Sequence, residues 1–204
     1  MAGKHDEKSK RFRLFGRFRR DREGAAAVEF ALLAIPFMLL VFATIETFVA
    51  FAGEQLLANA VNTMSRKIRT GEITFGLGKS TDVTEVEFRE AFCAELAVLD
   101  MCSDTEATVP EKLHIDVRQF ASFADMPTTV PKLTSDDFSD LDTSEFDFSP
   151  GGPDTRNMVR AYYRWKVMTD LVRPYITNIR PEGSVLPTDF LIVSTSAFQN
   201  EDYE

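Results

Sequence analysis

An apolar stretch near the N-terminus constrains this chain more than any other feature. From Ala25 to Gly53 the only polar side chains are Glu29, Thr44, Glu46 and Thr47, and within Phe30 to Ile45 only Thr44 interrupts the run. As a helix rising about 1.5 Å per residue, the stretch covers roughly 43 Å, enough to cross a hydrocarbon core of about 30 Å. Glu29 and Glu46 then stand roughly 25 Å apart along the axis, near the two edges of the core, where a carboxylate costs much less than at the centre. Pro36 removes one backbone donor and is expected to bend the helix one turn in.

Charge orients the segment. Residues 1–24 carry nine Lys/Arg against four Asp/Glu, a net +5, while residues 25–204 carry 14 against 28, a net -14. The basic head is therefore expected to stay in the cytoplasm and the acidic body to be exported, giving a single pass through the inner membrane. Phe12, Leu14, Phe15 and Phe18 interleave with the arginines of the head, a pattern suited to anionic lipid as well as to a solvated leader. The acidic body lacks the basic stripe that nucleic-acid binding requires. Gly and Pro together make only 19 of 204 residues, so a chain disordered throughout is excluded. The expected organisation is a leader over 1–24, a membrane helix over 25–53 and an exported α+β domain over 54–204. One ordinary core fits that length.

Two junctions compete as processing sites. Ala50-Phe51-Ala52 before Gly53 fits the small-residue rule of a conventional signal peptide, but the long head and Glu46 suit it poorly. On the other side of the apolar run stands Gly24-Ala25-Ala26-Ala27-Val28-Glu29-Phe30, a Gly followed five positions later by Glu and then by an aromatic residue. An uncleaved anchor is the third reading.

The segment GAAAVEF leading into an apolar helix resembles the processing site of class IVb prepilins and pseudopilins, which are cut after the Gly by a membrane aspartic peptidase. Further segments are similar to TadE-like proteins of the tight-adherence (Flp pilus) system: NTMSRKIRTG at 62–71, Phe88 to Cys102 with its two cysteines, Leu113 to Arg118, Tyr163-Arg164-Trp165, and the tail Ala197 to Glu201. Asp202 departs from the Pro that commonly follows the Asn-Glu of that tail. The resemblance implies a pseudopilin needed for Flp pilus assembly, with Gly24, Ala25, Glu29 and Phe30 forming the processing site. It implies as partners a prepilin peptidase, other pilins or pseudopilins, and the assembly platform; no cofactor is expected. It also implies an assembly contact between Glu29 and the new N-terminal amine of a neighbouring subunit.

Beyond Gly53, Leu57, Val61, Met64 and Ile68 recur at helical spacing, and Gly71 is a natural stop, so one rod of more than forty residues is expected, ending near residue 70. Gly76-Leu77-Gly78-Lys79-Ser80-Thr81 superficially suggests a phosphate loop, but the spacing places the required first Gly at Ile73, which leaves a turn. Thr84 and Glu87 form a capping-box pattern ahead of Phe88, Phe92, Leu96 and Leu99, predicting a second helix over 84–99. Cys93 and Cys102 flank its end; in an exported domain they are expected to form a disulfide, with buried free thiols as the alternative and a metal site disfavoured.

Alternating runs at 113–118, 159–167 and 189–198 predict an antiparallel sheet of three or more strands, with one face packed on the helices. His114 falls on the polar side of that alternation and is expected at the solvent. Between the strands, Pro131 to Thr155 is rich in Asp and reads as a long loop, solvated, partner-docking or cation-binding, without the EF-hand order of acids. Catalysis has little support: there is no G-x-S-x-G, no H-E-x-x-H, and the histidines are only His5 and His114. No catalytic or metal residue is expected. The rival to a pseudopilin is an anchored or secreted periplasmic binding domain that uses the acidic loop.

Overall fold

The computed structural model describes residues 22–203; of the basic leader read at 1–24, residues 1–21 lie outside the described residues. The described residues fall into two compact units divided between Ile45 and Glu46. Helix α1, Arg22–Arg69, runs through the division with Pro36 inside it. In the first unit its apolar side chains are exposed on every side, including Phe30, Leu33, Phe37 and Leu40. The one hydroxyl within the Phe30 to Ile45 run is satisfied internally, since Thr44 donates to the Leu40 carbonyl at 2.8 Å.

From Ala50 onward the same helix has one buried stripe. Ala50, Leu57, Ala60, Val61, Met64 and Ile68 recur every three or four residues and are almost fully buried. Gly53 lies on this stripe, where a Cβ would come within 3.3 Å of the Trp165 ring. The helix ends at Gly71, whose φ of +76° suits a residue without a side chain and whose N–H donates to the Ile68 carbonyl at 3.1 Å.

Helix α2, Glu85–Glu95, begins with the expected capping box: Thr84 Oγ1 accepts from the Glu87 amide at 3.3 Å, and the Glu87 carboxylate accepts from the Thr84 amide at 2.7 Å. It stops short of the predicted residue 99, giving way to a 3-10 turn over Ala97–Leu99. Cys93 and Cys102 are disulfide-bonded, with Cα atoms 5.7 Å apart, and the bridge holds that turn against α2.

Strands β1 (Leu113–Phe120), β2 (Phe148–Ser149), β3 (Arg156–Lys166) and β4 (Asp189–Gln199) form one sheet in the order β2-β1-β3-β4. β1 with β3 and β3 with β4 are antiparallel, in register Val117 to Val159 and Tyr163 to Ile192. The sheet is mixed rather than purely antiparallel, because β2 pairs parallel to β1 through Val117 to Phe148 and Arg118 to Ser149. One face packs Leu113, Val117, Val159, Ala161 and Ile192 against α1 and α2.

The opposite face is covered as well. Tyr162, Leu141, Ile179 and Leu191 form a second, smaller core, and Phe146 stacks on Tyr162 at a centroid distance of 5.0 Å. The Asp-rich segment therefore folds back onto the sheet around Leu141 and Phe146 and contributes β2, while residues 132–138 stay exposed to solvent. His114, expected at the solvent, is half-buried, with Nε2 enclosed and without a hydrogen-bond partner among the described residues. Burial is the first cause that pushes its pKa down to about 4, followed by the nearby Arg164 and Arg89 cations.

Candidate functional site

The features that carry a functional reading lie along α1. Gly24 and Ala25 fall within its first turns. Glu29 and Phe30 are both solvent-exposed, Phe30 to 74%. Glu29 has no hydrogen-bond or ion-pair partner among the described residues. The junction thus presents a carboxylate and an aromatic ring on a helix whose following turns are apolar all round. Such a surface needs a hydrocarbon or protein environment to cover it.

At the other end of the apolar run, Glu46 is engaged within the folded unit. Its carboxylate accepts the backbone N–H of Met168 and, at 2.9 Å, that of Thr169. The segment it holds contains α3, a single turn over Arg173–Ile176. Tyr175 and Ile176 of that turn face Thr47, Ala50 and Phe51 across an apolar groove of about 370 Å³. Residues 168–176 thus form a collar beside the helix turns from Glu46 to Phe51.

Two polar knots hold the domain together, and sequence reasoning passed over the residues of the first. Glu106 Oε1 accepts the amides of Glu111, Lys112 and Leu113, each at 2.8 Å, while Arg89 donates to the carbonyls of Glu106 and Leu113 at 2.8 Å and of Ala107 at 3.0 Å. Both side chains are buried, so they organise the loop between the disulfide and β1. On the other face Asp140 meets Arg164 through two contacts of 3.0 and 3.1 Å, and also accepts the Glu182 amide at 3.0 Å.

Other acids of the 131–155 segment are likewise used locally. Asp136 pairs with Arg180 at 2.6 Å, and Asp142 accepts the Ser144 amide at 3.0 Å. Among the described residues, no group of three or more His, Cys, Asp or Glu is arranged to hold a metal ion. The glycine turn at 76–81 is closed by Asp82, which accepts the amides of Gly78 at 2.7 Å and Lys79 at 3.2 Å. The Thr74 hydroxyl, followed by these amides, keeps the Asp82 carboxyl below its ordinary range. The amides a phosphate would need are therefore already used by the protein itself.

The tail noted in the sequence closes the end of α1. Asn200 donates through Nδ2 to the carbonyls of Gly151 and Gly152 at 2.8 and 2.9 Å and to the Tyr203 hydroxyl at 3.0 Å. The Glu201 amide donates to the Arg69 carbonyl at 2.9 Å, and Tyr203 covers Gly71.

These features define an α+β protein built on one long N-terminal helix, apolar enough over its first part to cross a membrane. A family model described as TadE-like protein matches residues 24–66, so the chain carries a TadE-like segment from Gly24 to Arg66 near the helix end. The cysteines, the strands and the tail that added to the resemblance lie beyond that match. No curated protein and no solved structure matches the chain significantly.

Proposed function

We propose that this protein is a pseudopilin-type subunit of the tight-adherence pilus system, held in the inner membrane by Ala26 to Ile45, shorter than the 25–53 expected from sequence because the folded unit begins at Glu46, with residues 46–204 exported. The observation that carries the reading is the form of α1: exposed and apolar all round where GAAAVEF opens it, then packed into an α+β domain where it continues. A helix of that construction serves first as an anchor and, once drawn from lipid, as a packing element between subunits. The disulfide suits an oxidising exported compartment. The role is structural, with no catalytic residue in it.

In this reading a prepilin peptidase cuts between Gly24 and Ala25. The new ammonium then stands four residues from Glu29, about 6 Å by helix rise. A carboxylate at the lipid edge is costly to desolvate alone, so pairing with the amine of a neighbouring subunit favours helix association. The test is substitution. Glu29→Gln should insert normally and accumulate to wild-type level, yet fail to co-purify with pilus or platform components, while Glu46→Gln should retain co-purification. Normal piliation by the Glu29→Gln strain would remove the intersubunit role.

A further inference from the structure

The collar beside the start of the folded unit is apolar on its outer side, and its position says what covers it. Met168, Leu171 and Tyr175 are exposed to 76%, 56% and 84%, unusual for three large side chains within eight residues of a folded domain. The segment is fastened to Glu46 through the amides of Met168 and Thr169. Glu46 follows Ile45 directly in the chain, so the collar is fastened to the first residue after the apolar run that is read as the membrane span. Phe48 and Phe51, on the adjacent helix turns, are exposed to 70% and 57%. Lys166, exposed, precedes the collar, and Arg173 lies within it, paired to the exposed Asp170 at 2.7 Å.

Apolar side chains, a tyrosine and a flanking lysine, close in the chain to the end of a span, are the composition of a membrane-interface surface. The apolar groups enter the acyl boundary, the phenol stays at headgroup level, and Lys166 meets phosphate while Arg173 stays paired with Asp170. We propose that residues 168–175 form a lipid-docking collar that seats the exported domain on the headgroup layer of a phospholipid bilayer. The proposal rests on the reading of Ala26 to Ile45 as the span. In a stored subunit such seating holds the domain close to the bilayer until the helix is withdrawn.

Spin labels on three single-cysteine variants of the full chain test it, with the Cys93 to Cys102 disulfide left intact. Ile35→Cys reports the span and Leu171→Cys the collar. Val98→Cys reports the far end of the domain: Val98 lies just beyond Glu95, whose carboxylate is 3.5 Å from Lys67, roughly 31 Å further along the helix than Glu46. The protein is reconstituted at low density into phosphatidylethanolamine and phosphatidylglycerol vesicles, and oxygen and nickel-chelate accessibilities are compared. The expected result is a position-171 ratio of oxygen to chelate accessibility several-fold above that at position 98, with position 35 higher still. A collar label as open to chelate as position 98, with position 35 buried, overturns the docking and leaves the span intact. A label at position 35 open to chelate overturns both. Shielding at position 171 that disappears as protein is diluted in lipid overturns lipid docking in favour of a second copy.

Discussion

The carboxylate of Glu46 accepts the backbone N–H of Thr169 at 2.9 Å, joining the first residue of the folded unit to a segment 123 residues away. A hydrogen bond to a charged acceptor contributes about 1.5–3 kcal/mol when it is partly buried. Glu46→Ala should therefore loosen 167–173 without unfolding the domain, accelerating amide exchange there by on the order of tenfold. Exchange in Leu57 to Ile68 should stay as slow as in the wild type. Uniform acceleration throughout the domain would mean that Glu46 supports the whole fold and not the collar.

Gly71 and Tyr203 set a second prediction. A Cβ on Gly71 would lie 2.7 Å from the Tyr203 ring, at a φ of +76° that itself costs a side-chain-bearing residue about 1–2 kcal/mol. Gly71→Ala should lower stability by about 2 kcal/mol or more in denaturant unfolding. In a Tyr203→Ala background the steric part disappears and only the conformational part remains. Equal costs in the two backgrounds would show that the ring moves aside freely.

The loop between the disulfide and β1 depends on Glu106. Glu106→Ala leaves the amides of Glu111, Lys112 and the buried Leu113 without their acceptor and removes one of the two carboxylates, after Glu85, whose charge acts on Arg89, a loss of about 3–5 kcal/mol for three hydrogen bonds to a charged acceptor. Glu106→Gln, which keeps an acceptor oxygen, should cost less. Replacing Cys93 and Cys102 by serine should cost roughly 2–3 kcal/mol from a loop of this length. Thermal or urea unfolding of the extracted protein orders the three variants.

His114 predicts a pH dependence. Burial, then Arg164 and Arg89, hold its folded-state pKa at about 4, below the ordinary 6.5, so the ring is neutral in the fold. Below about pH 6.5 the unfolded chain takes up a proton that the folded chain refuses. Stability is therefore lost as pH falls from about 6.5 to about 4, at no more than about 1.4 kcal/mol per pH unit. Subtracting the urea-unfolding profile of His114→Phe isolates this slope from the carboxylates. Parallel profiles for wild type and variant would place the imidazole in water.

The extent to which the sequence predicted this structure varies by element. α1 was readable throughout, because its apolar run and the stripe from Leu57 to Ile68 both follow helix period. The start of α2 was readable from Thr84 and Glu87, and three strands from alternation. β2 was not, since two residues give no period and their parallel pairing depends on the path of the preceding loop. The second core was missed because Arg160, Tyr162 and Arg164 read as an outward polar face. Yet Met158 and Tyr162 on that face were the available signal that something covers it. Arg89 and Glu106 look like ordinary surface charges in sequence; only the geometry of the loop between them and β1 buries both. The segment GAAAVEF, conversely, stands out only as a string of residues on an exposed helix, and its proposed role calls on partners outside this chain.

The central claim, a membrane-stored subunit processed on the cytoplasmic side of its span, is tested most directly by the mature N-terminus. Intact mass and Edman sequencing of protein extracted from membranes of peptidase-positive cells should give a chain beginning Ala25-Ala26-Ala27-Val28-Glu29, and Gly24→Val should retain the full length. A chain starting at Gly53, or one that keeps Met1 in those cells, would contradict it.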